Sequence, residues 1–159
     1  MTRRLFDVIE EPRGELLRRS IRGLARFSSS ALVVVRDDLG LDDSGQGLLS
    51  RMRPHLLEQT RCSSWPGTTL IGHEATTHRF VLTEPVLAEI IAASDGLYGW
   101  QQPVLPEDLA LLRHDGTAVL GSIAHEHDAY LEMTDKEYES SVEQVPEITR
   151  IVRRRSPDI

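Results

Sequence analysis

The sequence contains one cysteine, Cys62, and no run of about 18 apolar residues. A single cysteine cannot form an intramolecular disulfide, and a membrane-spanning helix needs about 20 apolar residues. The first residues lead into acidic side chains and not into the apolar core of a signal peptide. These absences predict a cytoplasmic protein that does not act in the membrane.

The common local signatures of catalysis are also missing. The chain has no Gly-x-Ser-x-Gly elbow, no glycine-rich phosphate loop and no His-Glu-x-x-His helix. Nucleotide hydrolysis and dinucleotide chemistry are therefore disfavoured, and no residue is assigned a catalytic role.

What the chain does have is an ordinary globular composition, with 159 residues, 40% of them hydrophobic and 27% charged. This length fits one domain, over residues 1–159. Apolar spacing predicts helices over 14–27, 48–59 and 84–93, and Thr134 with Glu137 forms a capping-box pattern at the start of another. Strand-like segments are 31–36, 77–82, 118–124 and 129–133, while 109–113 fits either a strand or a short helix.

These elements predict an α+β fold, with a mostly antiparallel sheet of about five strands and helices gathered on one face. The arginine-rich end of the chain, over 153–159, is expected to form a frayed tail.

Charge is distributed unevenly along the chain, whose formal net charge is −7. Residues 1–36 hold eight arginines and four acids, for +4, and residues 37–150 hold seven basic and twenty acidic side chains, for −13. Residues 151–159 add +2. An acidic body repels phosphates and attracts basic partners, so the composition favours a basic protein partner over nucleic acid.

Candidate binding residues follow from this charge pattern and from the two tryptophans. The tryptophans either fill the core edge or form a ligand platform, and the carboxylates either cap helices or form an acidic docking surface. The candidates are Trp65, Trp100, Glu107, Asp108, Glu126, Glu137, Glu139 and Glu143.

A second hypothesis concerns histidines. His125 and His127 are two residues apart, which places both on one face of a strand, and the candidate third ligand is His78, His73 or His114. Such a set would hold zinc in a small metal-dependent hydrolase with Glu126 as base. The alternative is that these histidines lie in turns and strand ends with no cofactor bound.

A third hypothesis concerns the predicted first helix. Arg18, Arg22 and Arg26 recur at intervals of four, with Arg19 beside them, and share the face opposite its apolar residues. This face would bind nucleic acid, or it is a solvated helix surface.

Several motifs resemble those of a group of small bacterial proteins of actinobacterial type. They lie at 65–68 (Trp-Pro-Gly-Thr), 97–100 (Leu-Tyr-Gly-Trp), 105–109 (Leu-Pro-Glu-Asp-Leu), 113–116 (Arg-His-Asp-Gly) and 122–126 (Ser-Ile-Ala-His-Glu). A looser resemblance, in the spacing of Leu105-Pro106 and Asp115-Gly116, is to the SUKH superfamily of immunity proteins. It implies an α+β immunity or antitoxin-like protein. We therefore expect a non-enzymatic module that binds a basic protein through its acidic C-terminal half.

Overall fold

The structure, a computed structural model, describes residues 2–156. Its strands are β1 (Arg3–Val8), β2 (Ser30–Arg36), β3 (Leu56–Cys62), β4 (Ser64–Trp65), β5 (Thr68–Thr69), β6 (Ala75–Val81), β7 (Glu107–Leu112), β8 (Ala118–Ile123), β9 (Asp128–Thr134) and β10 (Val152–Arg154). Its helices are α1 (Gly14–Ala25), α2 (Asp43–Met52), α3 (Glu84–Ala93), α4 (Asp135–Gln144) and α5 (Ile148–Ile151). Single 3-10 turns cover Arg53–His55, Leu97–Gly99 and Ala124–Glu126.

Eight strands form one sheet in the order β10-β1-β9-β8-β7-β2-β6-β3, and every neighbouring pair is antiparallel. β4 and β5 form a separate two-stranded hairpin. The structure is therefore α+β, but the prediction of about five strands is wrong.

The additional sheet strands lie where local patterning is weak. β3 is the outermost strand, and its residues 57–61 are all exposed, so it lacks the apolar alternation that marks a half-buried strand. The helix predicted over 48–59 is confirmed only as far as Met52, where α2 ends. Its second part is wrong, because Pro54 lies in a 3-10 turn and the chain then extends as β3.

The two ends of the described chain pair with each other. β10 is antiparallel to β1, with Phe6 opposite Arg154 and Asp7 opposite Arg153. The frayed tail predicted over 153–159 is therefore wrong for Arg153 and Arg154. They belong to a strand of only three residues, which is too short to show a strand pattern in the sequence. Residues 157–159 lie outside the described part of the chain.

The sheet buries both of its faces, but unequally. Val33 belongs to the large core that packs under the helices, whereas its neighbours Leu32 and Val34 belong to a smaller cluster. Because successive side chains of a strand point to opposite faces, the helices cover one face and the smaller cluster lies on the other. None of the helices within residues 2–156 is long and apolar enough to span a bilayer.

The smaller cluster is covered by residues 63–74, which we call the flap. Trp65 and Leu70 of the flap pack on this second face, against Leu32, Ala110 and Ala118. The flap extends across this face as far as Ile123 of β8 and Tyr130 of β9, which lie next to Gly67.

Candidate functional site

Two adjacent carboxylates lie buried where β7 begins. The relative exposure of Glu107 is 0% and that of Asp108 is 5%. Buried carboxylates are costly unless they are paired or hydrogen-bonded, so their partners define the site. We call Trp65, Trp100, Glu107, Asp108 and His125 the corner site.

Glu107 makes its contacts through one oxygen. Its Oε1 accepts a hydrogen bond from the backbone N–H of Gln102 at 2.9 Å and lies 2.8 Å from His125 Nε2. Its Oε2 is buried and has no hydrogen-bond partner among the described residues. Burial raises the pKa of Glu107 above its ordinary value, and the Gln102 amide and His125 oppose this shift without cancelling it.

Asp108 joins three segments that are distant in sequence. Between β2 and β7 the residues Leu32 and Val34 face Ala110 and Glu107, so β7 carries one extra residue, and Asp108 lies in this bulge with φ of 55°. Its Oδ2 accepts from Trp65 Nε1 at 2.9 Å and its Oδ1 accepts from the Ala124 N–H at 3.0 Å. The side chain thereby links β7 to the flap and to the turn after β8.

Gln102 holds the segment before β7 against the loop after β2. Its Nε2 donates to the carbonyls of Arg36, Leu39 and Gly40, and its Oε1 accepts from the Arg36 N–H. The peptide bond between Gln102 and Pro103 is cis. Three donated hydrogen bonds and one accepted hydrogen bond of this side chain position the backbone N–H that Gln102 donates to Glu107.

Trp100 is fully buried in the large core, and its Nε1 has no hydrogen-bond partner among the described residues. Trp65 is also buried, on the opposite face. Both tryptophans therefore pack the interior around the corner site, and neither presents an exposed platform for a ligand.

The turn after β8 carries the exposed groups of this region. The side chain of His125 is 44% exposed. The His127 ring stacks on Tyr98, with the ring centroids 5.3 Å apart, and its φ of 50° lies in the left-handed region. Burial, with the carboxylates of Asp128 and Glu11, raises the pKa of Tyr98 to about 12.

The three histidines of the metal hypothesis do not converge. His78 lies in β6, which β7 and β2 separate from β8, and three strand spacings amount to about 14 Å. His125 and His127 share the turn after β8, but one ring contacts Glu107 and the other contacts Tyr98. Within residues 2–156 there is no group of three His, Cys, Asp or Glu side chains that could hold a metal ion.

The acids of α4 have two different roles. Glu137 completes the capping box with Thr134, and its carboxylate also accepts from Arg113 Nη2 at 2.7 Å. Burial acts to raise the pKa of Glu137, but the Thr134 amide and Arg113 outweigh it and lower the pKa below its ordinary value. Glu139 and Glu143 are exposed and form no ion pair with any described residue. Glu137 is therefore a structural residue.

The arginines of α1, and Arg26 directly after it, are engaged by neighbouring groups. Arg18 lies 3.1 Å from Glu15, and Arg19 lies 3.1 Å from Glu147. Arg22 lies 3.8 Å from Glu84, and Arg26 donates to the Ser140 hydroxyl at 3.0 Å. These contacts partly neutralise the face that the nucleic-acid hypothesis requires.

A groove runs along the part of the second face that the flap leaves uncovered. We call it the open-face groove; its volume is about 560 Å³. The lining residues are Leu5, Pro66, Gly67, Thr117, Ala118, Ile123, Asp128, Tyr130, Glu132 and Arg155. Ile123 and Asp128 flank the turn that carries His125, so the groove adjoins the corner site.

The structure thus joins five of the predicted site residues, Trp65, Trp100, Glu107, Asp108 and His125, and leaves Glu139 and Glu143 on a helix at the other face. Sequence reasoning missed Gln102 and Tyr130. Gln102 carried no local signal, whereas Tyr130 stood between two acids at the strand spacing of two, Asp128 and Glu132, which was readable as one polar strand face.

Comparison of this chain with the sequence models of protein families, with curated proteins and with solved structures gave no match.

Proposed function

We propose that the protein is a non-enzymatic module that binds a basic protein partner through carboxylates of residues 126–143. One observation carries the proposal: five acids in this stretch form no ion pair with any described residue. They are Glu126, Asp128, Glu132, Glu139 and Glu143. The residues first expected to bind with them, Trp65, Trp100, Glu107, Asp108 and Glu137, are buried or structurally engaged.

Electrostatics gives such a surface a defined role. Uncompensated charge of one sign speeds association with a partner of the opposite sign and favours one orientation, more than it adds affinity. The arginines of α1 do not offset it, because they contact groups of their own surroundings. The predicted partner is a basic protein, and its binding should weaken as salt rises.

An immunity or antitoxin-like role in the cytoplasm fits this description. A protein of this kind masks a second protein by stoichiometric binding and needs no catalytic group. The corner site then serves the interface by holding the turn that presents Glu126 and Asp128.

The test is affinity capture from a lysate of the source organism with four baits. They are the wild-type chain, Glu126→Gln/Asp128→Asn, Glu139→Gln/Glu143→Gln, and a control, Asp43→Asn, which neutralises an exposed acid on α2. We expect one near-stoichiometric basic protein on the wild type and the control, lost at moderate salt and reduced on at least one neutralised bait. Equal capture by all four baits, or a bait that carries one equivalent of zinc and no partner, would contradict the proposal.

A further inference from the structure

The open-face groove has the size of a ligand site. Its volume of about 560 Å³ lies within the range of roughly 300–1,000 Å³ that is usual for binding clefts. One wall is the flap backbone at Pro66 and Gly67, and Leu5 and Ala118 are among the apolar residues that line it. Gly67 has φ of 86°, and a Cβ there would lie 2.8 Å from Ile123 Cδ1, so only glycine lets the wall approach this closely.

The groove contains two carboxylates that have no ion-pair partner among the described residues. Asp128 and Glu132 project from the same face of β9, and neither forms an ion pair or hydrogen bond through its carboxylate with a described residue. The cation among the lining residues, Arg155, contacts the carboxylate of Asp7.

Arginines gather beyond the opposite end of the groove. A depression of about 360 Å³ shares Leu5, Glu132 and Arg155 with the groove and continues it toward Arg154. Arg3 and Arg4, which also line the depression, bond the carboxylates of Asp115 and Asp135. A bound cation is therefore favoured at the end of the groove near Asp128.

Tyr130 provides an aromatic ring between the two carboxylates. The ring packs over the backbone of its cross-strand partner Gly121, where a Cβ would overlap it. This packing leaves the ring half-buried against the sheet. A guanidinium suits such a site, because it stacks on an aromatic ring and pairs with carboxylates through a planar set of donors.

We propose that the open-face groove binds an arginine-bearing extended segment of the basic partner, with a guanidinium over Tyr130 and paired with Asp128 and Glu132. This inference rests on the proposed function and assigns the contact to the sheet face instead of α4. An extended segment fits because a groove along β9 matches the strand spacing of alternate side chains.

The probe is the peptide acetyl-Arg-Ala-Arg-Ala-Arg-amide, titrated into the ¹⁵N-labelled full chain at low salt. Its control replaces each arginine by citrulline, which keeps the shape and removes the charge. We expect saturable amide shifts at residues 67, 117–118 and 128–132 with the arginine peptide alone. Asp128→Asn/Glu132→Gln should weaken binding about tenfold, which corresponds to about 1.4 kcal/mol, and Tyr130→Leu should weaken it by a similar factor.

The matched variant Glu139→Gln/Glu143→Gln separates the two proposals. It should bind the peptide as the wild type does. Shifts confined to α4 and lost in this variant would overturn the groove inference and leave the proposed function standing. No saturable binding, or equal binding of the citrulline peptide, would also overturn the groove inference, and a simultaneous failure of the four-bait capture would overturn both. Amide spectra of the unliganded variants confirm that each one is folded.

Discussion

His125 Nε2 lies 2.8 Å from Oε1 of Glu107, so a partly exposed imidazole contacts a carboxylate that has no exposed surface. The contact joins the start of β7 to the turn after β8. Asp108 joins the same two segments through the Ala124 amide. The position of the turn, and of the acids on it, therefore depends on two buried carboxylates.

The buried carboxyl of Glu107 should make stability depend on pH. Because its pKa is raised in the folded state, the folded protein holds this proton more tightly than the unfolded chain does. Its contribution is fully present below the ordinary pKa of 4.5 and is lost as pH rises through the folded pKa. Urea unfolding from about pH 4 to about pH 8 should show the wild type losing stability relative to Glu107→Gln as pH rises.

The control for this experiment is Glu139→Gln, which makes the same substitution at an exposed acid with no ion pair to a described residue. If the wild type instead gained stability over Glu107→Gln as pH rose, the ionised carboxylate would be the favoured form, and the contact with His125 would outweigh burial.

Trp65→Phe should destabilise the protein by about 1–3 kcal/mol, because it leaves the buried Oδ2 of Asp108 without its donor at 2.9 Å. Phenylalanine keeps most of the apolar contact, so the loss is assigned to the hydrogen bond. In the Trp65→Phe variant, amide hydrogen exchange should accelerate more in the flap than in α1, relative to the wild type. In the Asp108→Asn background the same Trp65 substitution should cost less, and an equal cost in both backgrounds would show that the two side chains are not coupled.

Glu137→Gln should destabilise the protein more than Glu139→Gln, although both changes remove one charge from α4. Glu137 contacts Arg113 and the Thr134 amide, and its lowered pKa means that this stability is present above its ordinary pKa of 4.5 and is lost as pH falls. We expect a cost of about 1–3 kcal/mol for Glu137→Gln at neutral pH and nearly none for Glu139→Gln, by urea unfolding. Equal stability of the two variants would contradict the structural role of Glu137.

Gly121→Ala should lower the melting temperature, because the added Cβ overlaps the ring of Tyr130. Overpacking of this kind costs about 1–3 kcal/mol. In the Tyr130→Ala background, where the ring is absent, Gly121→Ala should lower the melting temperature less than it does in the wild type. An alanine accommodated at full stability would show that the ring moves freely, which the rigid groove excludes.

The sequence predicts those elements whose pattern is local. The spacing of Leu17, Ile21 and Leu24 predicts α1, and Asp115-Gly116 predicts the turn between β7 and β8, where Gly116 has φ of 87°. The capping box at Thr134 is confirmed. In a capping box the glutamate side chain folds back onto the N-cap amide. The motif therefore already indicated that Glu137 is engaged within the helix start, which conflicts with a docking role.

The corner site could not be assembled from local patterns. Trp65 and Asp108 are 43 residues apart, and the bulge that buries Asp108 is a property of the pairing between β2 and β7. Composition selects such residues as candidates, but burial and hydrogen-bond partners depend on which strands become neighbours. The same reason applies to β3 and β10, which form strands because they pair with β6 and β1.

The pairing partners of β1 have a consequence for biosynthesis. β1 is flanked by β9 and β10, so residues 3–8 have no strand to pair with until residues 128–134 have left the ribosome. Residues 3–8 therefore remain unpaired until these sequence-distant partners have been synthesised. Completion of the sheet follows the synthesis of β9 and β10, and nascent β1 is a strand to which a chaperone would have a long opportunity to bind.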